Sequence, residues 1–586
     1  MPKIIFALLF LAAPLAQATT DSASEADRQF VQLHTQEWAF RIKEFPHLAA
    51  NAGVNNYADQ LMHVSGEHQL RRYHYWQNTL KQLKNINCKQ LTRENCINYR
   101  IFRRQLINFS NNYETRAYLF PFNSDWAWYI GWARLADGRF NKAEDYRNYL
   151  AKLEKLPAVN REYLDLLEIA LKEGMTQPQA VLSGRDEAIS KQIVDTPEDS
   201  VFYKPFMAER PVFFTDEEWQ ALQQRAKKQV VDSVVPVYTE LLKFMQEKYY
   251  PAARQELAAT TLPGGEAFYR AKIYKYATVD MSPKEIHQLG LSEVKRIRAD
   301  MDAVIKETRF EGSFAEFLQF LRSDEQFYAS SARELLAEAS YWAKKIDGKL
   351  PEYFSQLPRQ PYGITPVPAA IAPFFTTGRY VGGAYADGKA GFYWVNTYNL
   401  KQRPLYTLPA LTLHEAVPGH HLQAALASEL KEQPAFRRSD YISAYGEGWA
   451  LYTEKLGVEM GIYETPYQEF GRLTYEMWRA CRLVIDTGIH AFGWTRQQAI
   501  DYLAGNTALA LHNVKTEVDR YISWPGQALS YKLGEYTIWQ LRHKAEASLT
   551  DQFNLRDFHD FILGLGSVPL DVLKDEFEFW LKQQQN

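Results

Sequence analysis

The run Leu408-Pro-Ala-Leu-Thr-Leu-His414-Glu415-Ala-Val-Pro418-Gly419-His420-His421-Leu-Gln423 puts three histidines and a glutamate within eight residues of a segment that otherwise reads as a core helix. The chain has 13 histidines in 586 residues, so this density is far from even scatter. Zinc takes imidazole nitrogen at about 2.0–2.1 Å, and its catalytic sites keep three protein ligands and one water. A glutamate beside the first ligand can take a proton from that water. His414 and Glu415 have the residue types for those two tasks. The common HExxH spacing puts two ligands at i and i+4 on one helix face. Here i+4 is Pro418, which lacks the amide for that turn and whose ring clashes with the carbonyl of His414. With Gly419 next to it, the helix is expected to bulge or break. If Pro418-Gly419 is a two-residue insertion, His420 is the second ligand. The rival is His421, at i+7 in an unbroken helix and about 10.5 Å along its axis from His414. Whichever of the two is not a ligand is expected behind the metal or against substrate.

A third ligand should come from a following helix. The best candidate lies in Tyr445-Gly446-Glu447-Gly448-Trp449-Ala450-Leu451-Tyr452-Thr453-Glu454. Glu447 and Glu454 are seven apart and share one helix face. Carboxylates on an apolar helix need partners, because an unpaired buried charge is costly. Glu447 is read as ligand and Glu454 as its support.

Working outward, residues 355–410 carry seven prolines and the glycine-rich run TTGRYVGGAYADGKAG. Within it, Gly391-Phe-Tyr-Trp-Val-Asn-Thr397 reads as a strand, aromatic and β-branched between turn signals. That strand could receive an extended peptide by strand addition. Elsewhere helical punctuation dominates. Thr215–Glu218, Ser282–Glu285, Thr465–Gln468 and Thr495–Gln498 fit the capping-box pattern, two of them with proline at the first helical position. Residues 145–172 and 215–249 have apolar residues at helical spacing, the second with a kink expected at Pro236. No internal repeat is present. The fold expected is mainly α, a large helical protein with one loop-and-strand insert. Residues 19–260 form a helical scaffold and 261–586 the catalytic region.

Lys plus Arg is 67 and Asp plus Glu is 70, a net charge of -3 that gives no basic footprint for nucleic acid. The start, MPKIIFALLFLAAPLAQATT, has a positive residue, a short apolar stretch and a small-residue cleavage site, the layout of a signal peptide over residues 1–18. The apolar run is shorter than the ~20 residues a span needs, and no cysteine follows it to carry a lipid. The expectation is a periplasmic or secreted protein without a stable membrane anchor. Of three cysteines, Cys88 and Cys96 can close a small loop in that setting. Cys481 reads as an inert buried thiol.

HEAVPGHHLQ, GEGWALYTEKLG, RLVIDTGIHAFGW and WPGQALSYKLGEYTIWQLR together resemble a large bacterial family long catalogued only as a domain of unknown function. Its members are exported or lipid-anchored, and it is grouped with the gluzincin-type zinc metallopeptidases. The similarity covers at least residues 270–550 and departs from the simple gluzincin pattern at Pro418-Gly419. It implies a zincin-like, mainly helical fold with a small sheet beside the active-site helix. It also implies zinc-dependent hydrolysis of a peptide substrate, with one zinc per chain.

Such a site needs a donor for the oxyanion. Tyr531, opening a helix after a Pro-Gly turn, is one candidate, and His490 is another. Arg379, Arg482 and Lys532 are candidates for binding a substrate carboxylate. The competing expectations are a zinc amidohydrolase acting on a non-peptide amide or modified amino acid, and an exported binding protein with a vestigial metal site. Glu415 beside His414 speaks against the last, since a purely structural site needs no base.

Overall fold

Helices follow one another along nearly the whole chain, because the capping signals and apolar periodicities that start and bury them recur throughout. The computed structural model describes residues 24–369, 371–383 and 388–585. The leader at 1–18 and its export reading lie outside the described residues. The elements that matter for the site are, in chain order, α1 (Arg93–Glu114), α2 (Ala143–Glu173), α3 (Gly265–Tyr276) and α4 (Pro283–Thr308). They continue with β1 (Tyr362–Pro366), β2 (Gly378–Val381), β3 (Gly391–Val395), α5 (Leu408–Glu415) and α6 (His420–Glu429). The C-terminal set is α7 (Ser443–Glu459), α8 (Pro466–Phe492), α9 (Leu511–Ser523) and α10 (Ser530–Leu549). The protein is mainly helical, with one small sheet.

Three of the four expected capping boxes form, at Thr215, Ser282 and Thr495. At Thr465 half of the box forms. The threonine caps the Gln468 amide, but Gln468 accepts instead from the Glu464 amide. The segment around Pro236 runs through π-helical turns at Val230–Val234 and Met245–Tyr249 on either side of Val235–Phe244. The wider turn before Pro236 accommodates its missing amide without ending the helix.

The sheet has the order β1-β3-β2, with β1 parallel and β2 antiparallel to β3. The strand read from sequence, β3, is therefore central, with both edges paired. It cannot receive a peptide by strand addition. The strand beside the site is β2.

Two hydrophobic cores hold the helices, and residues on both sides of position 260 contribute to each. One joins Phe30 and Phe102 to Ile297, Leu413 and Trp449. The other joins Leu150 and Tyr238 to Leu483 and Leu529. Helices α7 and α10 approach so closely that glycine is required on both. A Cβ on Gly534 would lie 1.9 Å from the Ala444 carbonyl oxygen and 2.7 Å from the Gly448 Cα. That contact brings Tyr531, at the start of α10, to the metal-ligand candidate on α7. Cys88 and Cys96 are disulfide-bonded, and Cys481 is a free buried thiol whose pKa burial pushes well up. Among the described residues, no helix is long and apolar enough to cross a membrane.

Candidate metal centre

Helix α5 is buried along its whole length and ends at Glu415. The chain leaves helical geometry at Ala416, passes through a cis Val417–Pro418 bond and starts α6 at His420. The break is locked by two contacts. The Trp449 indole N–H on α7 donates to the Pro418 carbonyl (2.8 Å), and the His421 amide donates back to the Ala416 carbonyl (3.0 Å). Gly419 is packed so tightly under α5 that a Cβ would lie 2.0 Å from the His414 carbonyl oxygen and 2.3 Å from that of Leu413. Backbone cannot yield as a side-chain tip can. Gly419→Ala is therefore expected to destabilise the protein by about 1–3 kcal/mol or more, read as a lower denaturation midpoint, and to displace His420.

The break does what an insertion would do: it returns a second imidazole to the first. One nitrogen each of His414 and His420 and one Glu447 oxygen lie within 4.8 Å of one another. His414 Nε2 is 3.7 Å, and His420 Nε2 3.3 Å, from Glu447 Oε2. His414 Nδ1 donates to Glu454 Oε1 (2.7 Å), which fixes the ring and, in the neutral imidazole that a metal would require, leaves the lone pair on Nε2 facing Glu447. Glu454 is itself steadied by Arg479 at 3.4 Å. Burial opposes charge on His414, but Glu447, Glu454 and Glu415 outweigh it and push its pKa up to about 9. Burial likewise opposes charge on Glu447, yet the two imidazoles hold its carboxyl well below the usual range. The site is thus built to hold positive charge. Two imidazoles and a carboxylate at this separation could hold a metal ion, and they are a recognised donor set for catalytic zinc.

His421 is turned out of the group. Its Nε2 donates to the Gln360 carbonyl (3.0 Å), and its Nδ1 faces the Tyr380 hydroxyl (3.2 Å), so both nitrogens are engaged. Burial pushes its pKa down to about 4.

Glu415 is adjacent to the group and nearly buried, and its Oε2 accepts from the Tyr380 backbone N–H of β2 (2.7 Å). It opens with His414, His420 and Glu447 onto a cavity of about 570 Å³. Strand β2, Tyr441, Tyr531, Arg482 and Arg379 line the same cavity. Tyr531 is placed by two arginines. The Arg482 guanidinium lies 4.1 Å from its ring centroid, and Arg520 is 3.4 Å from its hydroxyl. Arg482 is also engaged by the Tyr521 hydroxyl (3.0 Å) and Glu517 (2.8 Å). Arg379 stands 3.6 Å from Asp125, with its side chain half exposed.

Two candidates fall away. His490 is fully buried off the cavity. Its Nδ1 accepts from the Ala259 amide (3.1 Å) and its Nε2 donates to the Tyr521 carbonyl (2.9 Å), so it fastens backbone and cannot serve as an oxyanion donor. Lys532 is 1% exposed and is surrounded by Glu293, Glu476 and Glu535 at 2.8–3.0 Å, so no substrate carboxylate reaches it.

Sequence reasoning missed Tyr441, whose ring lies over Gly446, one residue before Glu447. The residue as a whole is 58% exposed, but its hydroxyl is turned in beside Glu447, where local desolvation and that carboxylate keep it protonated and so a donor. It also missed the far wall of the cavity. Gln105 and Asn108 on α1, Trp126 between α1 and α2, and Lys275 on α3 all come from outside the motif region.

The family model described as a bacterial protein of unknown function, DUF885, matches residues 46–577. No curated protein matches the chain. Among solved structures, a "putative lipoprotein" from Colwellia psychrerythraea superposes with a TM-score of 0.87 at 27% identity, covering 96% of this chain and 100% of that one. A "putative lipoprotein of unknown function" from Shewanella oneidensis superposes with a TM-score of 0.70 at 18% identity, covering 94% and 99%. The second likeness is one of fold.

Proposed function

The chain belongs to the bacterial family of unknown function DUF885, so its activity has to be read from its site, and we propose that it is an exported zinc-dependent peptidase. The observation that carries this reading is the convergence of His414, His420 and Glu447 on one point, with Glu415 beside them on the same cavity. His414, His420 and Glu447 would hold the ion. When bound, zinc supplies a Lewis acid that polarises a carbonyl and lowers the pKa of water.

The rest falls to the chain's own groups. Glu454 fixes the tautomer and angle of His414. Glu415 takes the proton of the attacking water and passes it to the leaving amine as the C–N bond breaks. Tyr531 and Tyr441 are hydroxyl donors on the cavity wall, suited to the negative charge that develops on the carbonyl oxygen. The leader sequence and the description of the Colwellia relative as a "putative lipoprotein" support export.

A peptide library incubated with the pure protein and read by mass spectrometry tests the reading. Cleavage is expected, abolished by a chelator and restored by zinc. Absence of cleavage with zinc bound, or cleavage indifferent to the chelator, would contradict it.

A further inference from the structure

A second chamber of about 470 Å³ adjoins the first. The two share Gln105, Asn108, Trp126, Lys275 and Asp440 as lining residues, so they lie side by side. Each volume is in the range of small-ligand pockets, about 300–1,000 Å³. Folded polypeptide does not enter spaces of that size, whereas a few extended residues do.

The chamber is lined by Lys272, Lys275 and Arg72, none of which has an ion-pair partner among the described residues, and the two lysines stand together. They are three apart on α3, hence on one helix face. Nearby Arg41 is already neutralised by Glu37 at 2.7 Å. Asp440 is within electrostatic reach of Lys275 and of Arg41 but pairs with neither, and it accepts from Gln105 (2.8 Å). Burial, and after it the charge of Lys275, pushes the Lys272 ammonium down to about 7, and the face of Phe268 lies 4.9 Å from its Nζ. Asn108 lines both chambers, and its buried Oδ1 has no hydrogen-bond partner. A carboxylate answers the first deficit and a peptide N–H the second. A simple inorganic anion answers only the first.

We propose that this chamber is a subsite for the free C-terminal carboxylate of a short peptide, held by Lys272 and Lys275, with Asn108 accepting from the peptide main chain. The proposal rests on the peptidase reading for the identity of the ligand and adds the substrate class: oligopeptides with an unblocked C-terminus.

The test uses zinc-supplemented full-length Glu415→Gln protein and an N-terminally fluorescein-labelled Ala-Ala-Phe-Ala-Ala, as free acid and as C-terminal amide. Fluorescence anisotropy is expected to show the acid binding at least tenfold more tightly than the amide. That preference is expected to vanish in Lys272→Met/Lys275→Met. Should the double variant misfold, Lys275→Met alone, at an exposed position, is expected to cut the preference at least threefold. Equal binding of acid and amide, binding of neither, or a preference that survives the lysine changes overturns the subsite. Hydrolysis of the same peptides by wild-type protein is read separately. Hydrolysis without acid preference removes the subsite alone, and acid preference without hydrolysis removes the peptidase reading alone.

Discussion

The Glu415→Gln protein is expected to hold metal and fold like wild type while turning over peptide about 10²–10⁴ times more slowly, the usual worth of a positioned general base. Glu415 follows His414 on α5, so its side chain projects about 100° around the helix from the ligand. It can therefore reach the reacting groups without occupying a ligand position. The Tyr380 N–H holds one of its oxygens at 2.7 Å. Glutamine can accept that same hydrogen bond through its own oxygen, so the anchor and the shape survive. What is lost is the capacity to take a proton at neutral pH. Metal content, thermal unfolding and kcat on one peptide separate the outcomes. Full turnover with metal bound would remove Glu415 from the mechanism. Loss of metal would make it a ligand, and the roles of the whole motif would have to be reassigned.

Removing His420 is expected to strip the metal, whereas removing His421, its immediate neighbour, is expected to leave occupancy near wild type. The contrast follows from where the broken helix sends each ring. His420 Nε2 points at the Glu447 carboxylate, 3.3 Å away. His421 engages the Gln360 carbonyl and the Tyr380 hydroxyl with its two nitrogens and has none left to give. Loss of a partner that only supports a ligand typically costs about 10–100-fold in metal affinity. Loss of one of three ligands is expected to cost more, in His414→Ala and Glu447→Ala as well as in His420→Ala. Metal per chain after exhaustive dialysis is the readout. Equal occupancy in His420→Ala and His421→Ala, or the reverse order, would show that the break at Pro418-Gly419 does not set the ligand geometry.

Local chemistry was legible in the sequence where it was strong. Proline at i+4 with glycine beside it forbids a continuous helix, and the break stands between Glu415 and His420. Glu447 and Glu454, one face and seven residues apart, meet His414 on its two sides. Capping boxes at Thr215, Ser282 and Thr495 formed because both halves of each are within three residues.

Long-range pairing was not legible. β1 and β2 are short, flanked by proline and glycine, and become strands only by pairing with β3, so neither carries a period of its own. The same holds for the cavity wall built by α1 and α3, which end well over a hundred residues before the motif. His490 misled because a lone histidine in a helix reads alike whether it faces a cavity or, as here, fastens two backbone segments.

The account stands on a metal ion held by His414, His420 and Glu447. Elemental analysis of pure protein never exposed to chelator tests it most directly. The account predicts about one zinc per chain in the wild type and almost none in Glu447→Ala. A wild-type protein free of transition metal, which also fails to take up zinc on titration, would contradict it.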